Sequence, residues 1–82
     1  MPETIKGYLA IVQEQIRWKR ARPMLLRELE QHLEDQRDDC LKEGNSPEEA
    51  ERLAVQDMGD PVTVGTELDA VHRPWPQRGL LV

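Results

Sequence analysis

Gly44-Asn45-Ser46-Pro47-Glu48-Glu49-Ala50 closes one helix and opens the next. Gly44-Asn45 supplies a left-handed cap on which a helix C-terminus ends. Ser46 is an N-cap, and Pro47 sits at the first helical position, where its missing N–H is no loss. Glu49 stands where a capping box needs it. The same grammar recurs at Met58-Gly59-Asp60-Pro61, with Gly59 as the stop and Asp60 as the next cap. Two such punctuation marks this close together specify short helices joined by tight turns.

Working outward, the helix before Gly44 spans 23–43 with Pro23 at its first position. Leu26, Leu29, Leu33 and Cys40 form its apolar stripe, interrupted by Gln36 and flanked by Leu25 and Leu41. Ahead of it, Ile5, Leu9, Val12 and Ile16 fall at helical spacing with Tyr8 on the same face. This predicts a helix over 5–18 capped by Thr4. After Ser46, the apolar positions are Ala50, Leu53, Ala54 and Met58. After Asp60 they are Val64, Leu68 and Val71, with Gly65 allowing close approach to a neighbour, and His72-Arg73-Pro74 ends the helix. No strand pattern occurs. The expected fold is all-α, a small antiparallel bundle of three to four helices. The short connections at Gly44 and Gly59 predict that sequence neighbours pack antiparallel. A helical domain over 1–72 and a separate tail over 73–82 complete the organisation.

Composition narrows the function. The chain has 82 residues and a net charge of −5, with no Phe, two Trp and one Tyr. An acidic domain is a poor nucleic-acid binder, because phosphates call for a basic face. An aliphatic core of this size suits packed helices and leaves little room for a deep ligand pocket. The single cysteine, Cys40, has no partner for an internal disulfide, which fits a reducing, cytosolic setting. The N-terminus lacks the basic start and apolar run of a signal peptide.

Candidate chemistry is sparse. His32 lies one turn from Glu28 and Asp35, but zinc calls for three or four convergent ligands including a second His or Cys, and His72 is far off. Cys40 has Arg37 within helical reach, but Asp38, Asp39 and Glu43 would raise its pKa and no His can act as base. The pairs Asp38-Asp39 and Glu48-Glu49 belong on solvated faces or in a cap. No phosphate loop or nucleophile motif occurs. The expectation is a non-enzymatic domain with neither cofactor nor metal.

Two surface features carry more. Arg17, Trp18, Lys19, Arg20 and Arg22 cluster between the first two helices. They read either as a contact for anionic lipid or an acidic partner, or as cations complementing the negative end of the first helix dipole. In an up-down bundle this corner lies opposite the C-terminus, which weighs against lipid contact, although unequal helix lengths leave the point open. The second feature is the tail, Arg73-Pro74-Trp75-Pro76-Gln77-Arg78-Gly79-Leu80-Leu81-Val82. Arg73, Trp75 and Arg78 followed by an apolar run read as the approach to a membrane span beyond Val82. The plainer reading is a frayed end with incidental apolar residues.

Glu28-Leu29-Glu30-Gln31-His32-Leu33-Glu34-Asp35, Glu43-Gly44, Ser46-Pro47-Glu48-Glu49-Ala50 and Met58-Gly59-Asp60-Pro61-Val62 resemble the helical permease-prefix, or HAAS-type, domain found ahead of bacterial membrane proteins. Glu14-Gln15-Ile16-Arg17-Trp18-Lys19, the run Gly59 to Asp69 and His72-Arg73-Pro74 are similar to N-termini of some FtsW/RodA/SpoVE-family cell-cycle proteins. The resemblance implies a cytoplasmic regulatory or interaction domain at the bacterial plasma membrane, in a protein of cell division or cell shape that handles lipid-linked peptidoglycan precursor. Any such activity would lie in the protein's own downstream membrane region, and no catalytic residue transfers to this chain. The alternatives are the prefix of a transporter permease and a soluble signalling module that binds a transcriptional regulator.

Overall fold

The computed structural model describes residues 2–71, among which are four helices: α1 (Ile5–Gln15), α2 (Arg22–Lys42), α3 (Pro47–Met58) and α4 (Pro61–Val71). Three open on the caps legible in the sequence. The Thr4 hydroxyl accepts from the Gly7 N–H at 3.0 Å, Ser46 Oγ from Glu49 at 3.2 Å, and Asp60 Oδ2 from Thr63 at 2.9 Å. The Thr63 main-chain N–H, and then its hydroxyl, hold the Asp60 carboxyl below the usual carboxylate range. Only half of the capping box forms at Ser46, because the Glu49 carboxylate pairs with Arg52 one turn on instead of reaching back. Gly44, at φ 101°, makes the left-handed turn after α2, and Asn45 Nδ2 donates to the Cys40 carbonyl at 2.9 Å.

Longer-range bonds satisfy both ends of α1. Glu51 of α3 accepts from the Ile5 N–H at 3.0 Å, so an orphan donor of α1 is satisfied by a neighbouring helix. At its other end α1 stops at Gln15, three residues short of the expected boundary. Ile16 is extended (φ −93°, ψ 109°), and its carbonyl accepts from the Arg22 guanidinium. Tertiary partners thus take over the backbone groups that a longer helix would have used.

The all-α bundle is present, but its pairing differs at one joint. α2 packs chiefly on α3 and α1 chiefly on α4. The expected antiparallel packing of α3 on α4 does not form. Gly59, at φ 102° and ψ −170°, holds a conformation essentially confined to glycine and swings the chain away from α3. α4 then lies along α1 and runs parallel to it. Asp60 acts on Tyr8, Gly65 abuts Val12 and Gln15, and Asp69 reaches Arg17, so positions rise together along both helices. Gly65 makes the close approach its sequence suggested. A Cβ there would stand 2.8 Å from the Val12 carbonyl oxygen.

The core comprises Ile5, Tyr8, Val12, Ile16, Ala21, Leu25, Leu29, Leu33, Ala54 and Val55. On α2 the inward stripe runs through Leu25, with Leu26 only partly buried, and Leu41 is exposed. Val55, absent from the expected α3 face, is fully buried. The Val71 side chain lies outside the described residues, as does the chain from His72 onward, including the tail residues Arg73, Trp75 and Arg78.

Tyr8 is fully enclosed, and its hydroxyl has no hydrogen-bond partner among the described residues. Burial, and then the Asp60 charge, push the phenol from 10.0 up to about 12. The fold therefore favours the neutral phenol. Its stabilising effect is complete below pH 10 and is lost as pH rises from 10 toward 12, at about 1.4 kcal/mol per unit. As this is the one tyrosine in the chain, phenolate absorbance reports it alone. Ionisation should coincide with loss of helical circular dichroism, and a phenol titrating near 10 in the folded protein would contradict this. Tyr8→Phe removes a buried unpartnered hydroxyl and should stabilise by about 1 kcal/mol.

Candidate interaction surface

The connection between α1 and α2 divides the basic cluster into two groups. Arg17 turns to α4: its N–H donates to Asp69 Oδ1 at 2.8 Å and its Nε to Oδ2 at 3.0 Å. Asp69 is 6% exposed, whereas the Arg17 side chain is largely in solvent. Arg22 folds back on the Ile16 carbonyl, with Nη2 at 2.9 Å. Trp18 is half-buried against the core, and its carbonyl accepts from Ala21 and Arg22, each at 3.2 Å. Arg17, Trp18 and Arg22 therefore hold the corner together. Lys19 and Arg20 form its exposed turn and make no hydrogen bond or ion pair among the described residues.

Dipole complementation is handled differently from the sequence expectation. The last turn of α1 contains no basic residue, since the helix ends before the first of them. Among the described residues, Arg22 meets the end of α1 through the Ile16 carbonyl. Asp69 was not picked out from the sequence, although a signal exists. A carboxylate in the last turn of a helix opposes the dipole, so it calls for a cation from elsewhere.

The remaining candidates stand apart. His32 is exposed on α2 beside Glu28 and Asp35, and among the described residues no group of His, Cys, Asp and Glu is assembled to hold a metal ion. Cys40 is half-buried. Burial, and then the charges of Glu43, Asp39 and Asp57, raise its thiol pKa and keep it protonated at neutral pH. The acidic face of α2 is solvated, with Glu28, Asp35, Asp38 and Asp39 exposed.

An open groove of about 660 Å³ runs between α1 and α2 over Ile5, Leu9 and Leu26. Lys6, Arg27 and Arg37 on its rim are matched by Glu30, Glu34 and Glu51, so it favours neither sign of ligand. No helix among the described residues is long and apolar enough to cross a membrane. Comparison with protein-family models, with curated proteins and with solved structures found no match.

Proposed function

We propose that the chain is a non-catalytic interaction or regulatory domain at the cytoplasmic face of the bacterial plasma membrane. It would precede the membrane region of a cell-division or cell-shape protein acting in peptidoglycan synthesis. The lock between Arg17 and Asp69 carries this reading. Asp69 lies in the last turn of α4, and its carboxylate is fastened to both the backbone and the side chain of the α1–α2 corner. A chain continuing from α4 thus departs from a fixed point on the bundle instead of from a loose helix end. Such an anchor suits a domain that works by positioning or sensing the segment C-terminal to it. The sequence resemblance supplies the membrane setting, and the basic and aromatic residues Arg73, Trp75 and Arg78 suit the approach to an interface.

Fractionation of the tagged full-length protein tests the proposal. It should remain with the membrane after a high-salt wash, and apolar spans should be encoded after Val82. A protein that is soluble after lysis, with no apolar span encoded downstream, would overturn it.

A further inference from the structure

We infer that the corner between α1 and α2 is a contact surface for an anionic lipid bilayer. Lys19 and Arg20 meet the headgroups, and Met24 enters among them. The inference rests on the membrane setting proposed above and assigns a face of the bundle to the bilayer.

Charge is the first observation. Residues 16–27 hold five of the eleven Lys and Arg and none of the sixteen Asp and Glu. The connection between α1 and α2 is therefore locally cationic in a chain of net charge −5, with Asp69 of α4 offsetting one of the five charges through Arg17. α2 opens in the same place without a side-chain cap and without an acid in its first turn, so its positive dipole end faces the negative ends of α1 and α4 at this corner.

Position is the second. In a bundle alternating up and down, this corner would lie opposite the end of α4. The parallel run of α1 and α4 reverses that. The 2.8 Å bond from the Arg17 N–H to Asp69 places the corner beside the last turn of α4, from which the chain continues into 72–82. A chain continuing from α4 toward a membrane would leave the bundle from beside this corner.

Surface chemistry is the third. Met24, in the first turn of α2, is 51% exposed, the most exposed of the large apolar side chains among the described residues. An exposed apolar side chain four residues after Arg20 matches the layered chemistry of a headgroup interface.

The test is co-sedimentation of the 82-residue chain with vesicles of phosphatidylglycerol and phosphatidylcholine, against vesicles of phosphatidylcholine alone. The chain should bind only the anionic vesicles. Lys19→Ala/Arg20→Ala should lower the partition coefficient about 25-fold, each cation near an anionic surface being worth about fivefold. Both side chains are exposed, so the thermal transition should not move. Lys6→Ala/Lys42→Ala changes net charge equally at the opposite end of α1 and α2 and should leave binding unchanged. Absence of binding, equal loss in both pairs, or binding untouched by Lys19→Ala/Arg20→Ala would each overturn the inference. Capture of a soluble acidic polypeptide without vesicle binding would do so as well. The two readings fail separately: a full-length protein soluble after lysis removes the setting, whereas vesicle binding reports on the corner itself.

Discussion

Gly65→Ala should melt about 10 °C below the wild-type protein. On an exposed helix the same change would help, since alanine exceeds glycine in helix propensity by about 1 kcal/mol. At position 65 the added methyl would stand 2.8 Å from the Val12 carbonyl oxygen and from Cβ and Cγ of Gln15. Gln15 can rotate away, but the Val12 carbonyl belongs to the α1 backbone and cannot yield without moving the helix. Forcing an atom into such a contact costs about 3 kcal/mol at the upper end of overpacking effects. The clash therefore outweighs the propensity gain by about 2 kcal/mol. For a domain of this size that is roughly 10 °C in Tm. Thr66→Ala is the control, one residue along on the exposed face, and should be neutral or slightly stabilising. A Gly65→Ala variant as stable as wild type would mean that α1 and α4 do not approach as described.

Gly65 also marks how far sequence reasoning reached. The caps at Ser46 and Asp60 and the stops at Gly44 and Gly59 were legible because capping joins residues three or four positions apart. Close approach at Gly65 was legible because glycine inside an apolar helical face has few other uses. Its partner was not, since a local pattern does not say which helix lies opposite. The antiparallel expectation at Gly59 failed for the same reason. Connection length limits how far apart two helices start, whereas the backbone conformation at Gly59 decides where the second one points. The boundary of α1 was missed because Asp69 and Arg22, distant and nearby in sequence, compete with the helix for Arg17 and Ile16. Leu25 and Leu26 were both available to the core, and a one-residue rotation of α2 selects Leu25. At the corner, composition revealed the cluster but not the division of labour that leaves Lys19 and Arg20 exposed.

That division can be measured at its anchor. Asp69→Ala should destabilise the protein by about 2 kcal/mol, because it leaves the Arg17 main-chain N–H without its carboxylate acceptor in a partly buried site. The guanidinium contributes less than its geometry suggests. Its side chain is 69% exposed, and solvent screens a pair of this kind. Arg17→Ala should therefore cost only about 1 kcal/mol, since the backbone bond to Asp69 survives the truncation. Asp69→Asn keeps an acceptor for that N–H and should fall between the two. In the cycle combining Arg17→Ala with Asp69→Ala, the double variant should be about 0.5–1 kcal/mol more stable than the sum of the single losses predicts. Urea unfolding of the four proteins supplies the numbers. Strict additivity would mean that the Arg17 and Asp69 side chains do not interact and that Asp69 meets Arg17 through the backbone bond. An Asp69→Ala variant of wild-type stability would remove the lock altogether, and with it the fixed departure point on which the positioning role depends.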